Sequence, residues 1–315
     1  MPVSAVTMSH SPLLDFVDPP ADVKHDVDSA FDAARAFVGE YRPDVVFNFA
    51  PDHYNGFFYD TMPPVCIGYA ATAVGDFGTS AGPLNVDREL SEAVAAHVLD
   101  DDLDVAVSLT MQVDHGAVQP LEILFGGLDT PAIVPVFRNS VAPPFSPMRR
   151  IRRLGESIGH FAAEQLADKR VLFVGSGGLS HEPPVPQLAT ASGPVLAGIL
   201  GGGRSMTDDA RAARQNRAID AALRFAAGES NVKDLAPEWD RAFMSTLREG
   251  NLTEIDSWSP AEMTEVAGNS SHEVRTWLAA YAALSATGAY AVDYSFYRPI
   301  REYIAGFGVT TARGT

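Results

Sequence analysis

One cysteine, Cys66, in 315 residues has no partner within the chain, so no intramolecular disulfide can form. A reducing compartment is the expectation that follows. Nowhere do about 18 apolar residues run together, which excludes a transmembrane helix. The opening Met1-Pro2-Val3-Ser4 lacks the basic and apolar stretches of a secretory leader, so a cytoplasmic location is expected. Basic residues are also in short supply, with 23 Lys and Arg against 40 Asp and Glu and a formal net charge of −17. A field of that sign repels nucleic acid and anionic membrane, and neither is expected as a partner. An anionic substrate would need a local group of arginines to counter it. Arg298 and Arg301, in Tyr297-Arg298-Pro299-Ile300-Arg301, are the candidates.

Core material is plentiful: apolar residues make up 46% of the chain, enough to bury a core without staples. Short β-type runs alternate with helical patterns over the first 180 residues or so. Val3 to Met8, Val45 to Phe49, Val65 to Tyr69, Val105 to Leu109, Ile133 to Phe137 and Val171 to Val174 are the strand candidates. Val23, Val27, Phe31, Ala34, Val38 and Tyr41 recur at helical spacing and Pro43 closes that run. Helices are also expected at 86–99 and 147–165. From about 190 to 288 helical signals dominate, at 207–228, 237–249, 260–267 and 271–286, and an aromatic strand at Tyr290 to Tyr297 ends the series. No repeat or linker divides the chain. The pattern predicts a single α/β domain over 1–315: a central mixed or parallel sheet flanked by helices, with the helix-rich part packed on it.

Of eight histidines, four fall just beyond strand candidates. His10 follows the first, His53 the second, His115 the run 105–109, and His181 the run 171–174. Ligands of α/β sheets bind beyond the carboxyl ends of strands, so four imidazoles delivered there can converge. A lone loop histidine is ordinarily solvated or a turn residue; four in one kind of position are harder to explain that way. His25, His97 and His160 lie within helical patterns and read as bland. The glycines of Gly175-Ser176-Gly177-Gly178 match no phosphate-cradle spacing, and they are expected to let the backbone turn beside a bound ligand.

Ser270-Ser271-His272-Glu273 supplies a carboxylate. Ser270 and Glu273 have the spacing of a capping box, in which the Glu reaches back to the helix start. Alternatively Glu273 is an oxygen ligand, since two histidines and one carboxylate on one face of an octahedron form the triad of non-haem iron(II) oxygenases. Spacing leaves both readings open.

Ser9-His10-Ser11-Pro12, residues 50–60 (APDHYNGFFYD), 111–116 (MQVDHG), 174–184 (VGSGGLSHEPP) and Ser271-His272-Glu273 together resemble the class III extradiol dioxygenases, within them the branch that acts on 2,3-dihydroxyphenylpropionate. The likeness runs from residue 9 to Tyr297-Arg298-Pro299-Ile300 and Ile304-Ala305-Gly306-Phe307-Gly308, nearly the whole chain. It implies an αβα sheet fold and homo-oligomers. It also implies Fe(II) held by His10, His53 and Glu273, with His115 as proton donor and His181 as proton acceptor. The reaction implied is O2-dependent cleavage of 2,3-dihydroxyphenylpropionate, and of its cinnamate analogue, beside the hydroxyls, in bacterial breakdown of phenylpropanoids. Such chemistry needs a redox-active metal, because triplet oxygen does not react directly with a singlet catechol; zinc lacks that redox chemistry. The rival readings are cleavage of another catechol, a zinc hydrolase on the same ligands, and a scaffold that has lost its metal.

Overall fold

The strands that precede His10, His53 and His181 are buried from end to end, as strands covered on both faces must be. The computed structural model describes residues 3–315; Met1 and Pro2, where the leader reading begins, lie outside the described residues. β1 (Val3–Met8) and β2 (Val45–Ala50) flank α1 (Ala21–Tyr41), whose buried face includes Val23, Val27, Phe31, Ala34 and Val38. α1 stops at Arg42, which takes a left-handed φ of 51°, just before Pro43. Then come β3 (Val65–Gly68), β4 (Ala71–Val74), β5 (Ala81–Pro83), α2 (Arg88–Asp100), β6 (Ala106–Ser108), β7 (Met111–Val113), α3 (His115–Phe125) and β8 (Ala132–Arg138). α4 (Met148–Gln165) leads into β9 (Val171–Ser176), after which helices take over: α5 (Gly193–Ile199), α6 (Asp208–Ala226), α7 (Pro237–Glu249), α8 (Pro260–Ala267) and α9 (Val274–Ala286). β10 (Tyr290–Ile300) and β11 (Ala305–Gly314) close the chain.

Eight strands form one mixed sheet in the order β10-β11-β1-β9-β2-β8-β3-β6. Its centre, β1, β9, β2 and β8, is parallel, and β11 runs antiparallel to β1. The strands' period of two divides the core. Val3, Ala5, Phe47 and Phe173 face the cluster under α4 and α9. Val6, Met8, Val46 and Leu172 face the cluster shared with α1 and α3. α9 is buried on every side and crosses α4 closely. A Cβ on Gly155 would lie 2.3 Å from the Ala279 carbonyl oxygen, and one on Gly159 would lie 2.2 Å from that of Ala283.

The structure corrects the reading in three places. His115 does not follow the run 105–109 directly. A further strand, β7, belongs to a separate three-stranded sheet, β5-β4-β7, and His115 opens α3 behind it. Asp114 sets that start, since its side chain accepts from the Gly116 amide as an N-cap. The series does not end at β10: β11, with two glycines near its start, pairs with it and is buried over most of its length, while β10 is half-exposed. α3 and α5 were also not expected, because α3 contains Pro120 and α5 is only seven residues long. Gly175, within β9, and Gly177, just past it, have no room for a side chain. A Cβ on Gly175 would sit 2.8 Å from the Thr276 carbonyl oxygen, and one on Gly177 2.5 Å from the Glu273 Cβ.

Candidate active site at the carboxyl edge of the sheet

Because β1, β9 and β2 are parallel neighbours, their carboxyl ends share one edge, and each is followed by one histidine. His10 lies two residues past β1, His181 five past β9, and His53 three past β2. β11 begins at the same edge, and Ala305 pairs with His181 there. His115 arrives from the small sheet, at the first turn of α3. Ring centroids lie 5.3 Å apart for His10 and His53, 5.4 Å for His10 and His115, and 4.6 Å for His53 and His115, the last pair stacked. Glu273 ends a single 3-10 turn, Ser271–Glu273, and launches α9 over the same point.

All four rings are held the same way round. His10 Nδ1 is 2.9 Å from Ser176 Oγ, whose own hydrogen goes to the Gly116 carbonyl, so the ring must be the donor. Asp114 Oδ2 accepts from His53 Nδ1 at 3.1 Å and from the His53 amide at 2.7 Å. Asp76 Oδ2 accepts from His115 Nδ1 at 2.6 Å, and its other oxygen takes the His115 amide at 2.8 Å. His181 Nδ1 donates to the Leu179 carbonyl at 2.9 Å. Each Nδ1–H therefore points outward and each Nε2 inward, the arrangement that leaves a ligand lone pair aimed at the centre.

At that centre stands the Glu273 carboxylate, 1% exposed. Its Oε1 is 3.0 Å from His53 Nε2 and 3.3 Å from His181 Nε2; its Oε2 is 3.6 Å from His10 Nε2 and accepts from the Gly178 amide at 2.8 Å. The capping-box alternative does not hold, because the Ser270 amide donates to the His181 carbonyl instead. Burial would keep the Glu273 carboxyl protonated, but His181, His10 and His53 outweigh it and hold the group well below the usual range. Burial lowers His10 to about 3 against the pull of Glu273, with His53 and His115 adding to the shift, so that ring is neutral. For His53 burial opposes the charge, but Asp114 and Glu273 prevail and raise it well above its usual value.

These facts make the donor set fit a metal cation. An ionised carboxylate is buried against Nε2 lone pairs, which repel it unless a proton or a cation lies between. Two donors each about 2.1 Å from one ion at a right angle sit roughly 3 Å apart, close to the 3.0 Å between His53 Nε2 and Glu273 Oε1. His10, His53 and His115 form a buried group with ligand atoms within 4.8 Å of one another, as do Asp76, Asp114 and His115. In the second group both carboxylates are already occupied by histidine Nδ1 and backbone amides, so they orient rings. His115 Nε2 is buried and has no hydrogen-bond partner among the described residues.

The five groups line a cavity of about 990 Å3. Its floor is the histidine cluster, with Tyr54 and Phe77; its roof is the segment from Pro183 into α6. Arg298 and Arg301 are not brought to it. Arg298 pairs with Asp22 and Asp26 of α1, and Arg301 with Asp234 and the Phe225 carbonyl. The arginines among the lining residues are Arg214 and Arg217, both on α6.

A family model for the catalytic LigB subunit of aromatic ring-opening dioxygenase matches residues 4–308. The chain belongs to the LigB family. Curated relatives agree over the full length. Proteins named 2,3-dihydroxyphenylpropionate/2,3-dihydroxicinnamic acid 1,2-dioxygenase from Rhodococcus globerulus and Rhodococcus rhodochrous are 54% and 56% identical, each covering 99% of this chain and 98% of its own. One from Pseudomonas putida is 53% identical over 97% of this chain and 96% of its own. A crystal structure of an uncharacterized Escherichia coli K12 protein superposes over 99% of both chains at a TM-score of 0.51 and 11% identity, which speaks to the fold alone. This LigB protein is an extradiol catechol dioxygenase.

Sequence reasoning missed the groups that aim the LigB histidines. Asp114 stands next to His115, and an acid adjoining a candidate ligand is a usable signal. Asp76 sits in Gly75-Asp76-Phe77-Gly78, a loop signature without a partner visible in the sequence, 39 residues from His115. Ser176 is one serine among the glycines.

Proposed function

We propose that the protein is a ferrous-iron dioxygenase that opens the ring of 2,3-dihydroxyphenylpropionate and 2,3-dihydroxycinnamate beside the hydroxyls. The observation that carries the reading is the common orientation of the rings: His10 and His53 present Nε2 lone pairs to one buried carboxylate, Glu273. These three residues would hold the metal. When bound, iron(II) supplies redox chemistry that lets oxygen react with the catechol. The substrate comes from the relatives' names, at more than half of all positions identical.

The chain's own residues handle the protons and the water. His181 Nε2 accepts a proton from a catechol hydroxyl, since its Nδ1 hydrogen is committed to the neutral Leu179 carbonyl. His115 delivers a proton from Nε2. Unlike His181 it has an anionic partner, Asp76, so a charge on it is balanced, and its Nε2 is the inward atom without a partner. Leu13, Phe77, Pro183, Val185, Val195 and Ile199 give the cavity an apolar wall against an aromatic ring. The same reading includes one domain, a homo-oligomer and a cytoplasmic location; it is supported by the family, and no described helix is long and apolar enough to cross a membrane.

The test is anaerobic reconstitution with ferrous iron, addition of 2,3-dihydroxyphenylpropionate, then air. A yellow ring-opened product with equimolar oxygen uptake is expected. Iron bound at the site with neither signal would overturn the substrate assignment, and equal activity with zinc would overturn the metal.

A further inference from the structure

A catechol that carries a carboxylate arm meets a protein of net charge −17, so something in the cavity must hold the anion. The two arginines singled out in the sequence are spent elsewhere, on Asp22, Asp26 and Asp234. Of their neighbours over the roof, Arg204 pairs with Asp60 and Arg224 with Asp220, while Arg211, outside the cavity lining, donates to Asn55 Oδ1 at 3.4 Å. Arg214 and Arg217 differ. Neither forms a salt bridge among the described residues, and both line the cavity that contains the histidine cluster. Among the described lining residues Glu273 is the only carboxylate, and it is already committed to three imidazoles.

The two guanidiniums have different work. Arg214 reaches down to the floor, donating to the His53 carbonyl and, at 3.4 Å, to Asn55 Oδ1. It ties the roof to the loop that positions His53. Arg217 lies three residues further on the same face of α6, where neighbours three apart stand about 5–6 Å from one another. It has no hydrogen bond or ion pair among the described residues. Ala210, Ala213 and Ala218 occupy the rest of that face and leave room beside it. The ring-binding floor and Arg217 thus face one and the same cavity.

We propose that Arg217 is the specificity-determining residue that binds the carboxylate of the substrate's side chain, with Arg214 fixing the helix that presents it. This rests on the functional reading above and adds the group that selects an acidic catechol over a neutral one. Arg217 stands exposed at the rim of the cavity, so water screens its pair with a carboxylate, and loss of the pair weakens binding by about two- to fivefold.

The experiment uses the iron-loaded full chain and two substrates of similar length, 2,3-dihydroxyphenylpropionate and 3-propylcatechol. Wild type should favour the acid in kcat/KM, and added salt should raise its KM for the acid alone. Arg217→Gln should raise KM for the acid by about two- to fivefold with kcat nearly unchanged, leave the neutral catechol unaffected, and recover in part in Arg217→Lys. Anaerobic calorimetry should show the same weakening in Kd without turnover. Parallel changes for both catechols, or none for either, would overturn the anchor while leaving the dioxygenase reading intact. Absence of cleavage of either catechol by wild type would overturn both.

Discussion

The floor and the roof of the cavity are built on different principles. On the floor every catalytic or ligating candidate is buried and held by a second group: His10 by Ser176, His53 by Asp114, His115 by Asp76, His181 by the Leu179 carbonyl. Those partners stand on the sheet edge or on loops packed against it, so the donor atoms have little freedom. The roof, from Pro183 through α6, is partly exposed along most of its length and presents alanines, prolines and two arginines. Metal and proton chemistry needs fixed geometry, whereas choosing among catechols needs only shape and one placed charge. The floor is where substitutions should damage the reaction, and the roof is where they should change its selectivity.

That division can be broken in order of effect. His10→Ala or His53→Ala should lose both iron and activity; iron retained at full occupancy by metal analysis would mean the carboxyl-edge triad is misassigned. His115→Gln or His181→Gln should keep the iron and lose about 10²- to 10⁴-fold in kcat, the range for a removed proton-transfer group. Asp114→Asn keeps the shape but not the charge that orients His53. A loss of about 10- to 100-fold in metal affinity or activity is expected, and no loss would mean the ring needs no partner. Gly159→Val would press on the Ala283 carbonyl where α9, which starts directly after Glu273, crosses α4. Denaturant titration should show a destabilisation of about 1–3 kcal/mol or more from that overpacking. Arg298→Ala should be the mildest change, removing an exposed pair with α1 and moving neither kcat nor KM by more than about twofold. A large KM effect there would return the carboxylate anchor to β10.

Legibility followed the same line. β1, β2, β9 and α1 could be read because a strand or helix buried on a fixed face must repeat its apolar residues at a fixed period. His10, His53 and His181 could be placed at strand ends for the same local reason. His115, singled out in the sequence, does line the cavity, but its strand was not legible, since β7 has three residues and too little pattern to show. Glu273 illustrates the limit: its spacing from Ser270 suits a helix cap equally well, and only the approach of β9's exit to α9 turns its carboxylate toward the rings.

What the sequence determined alone was whatever depends on neighbours along the chain: the α/β alternation, the buried strands, the histidines placed just past them, and the motif blocks that reveal the family. What only the tertiary structure decided was which charges meet. Asp76 and His115 are 39 residues apart, His53 and Glu273 are 220, and Arg298 finds its partners on α1 rather than in the cavity. Charge pairing acts through space and leaves no periodic trace along a chain, so the partner of a charged group is known only once the sheet has brought the segments together.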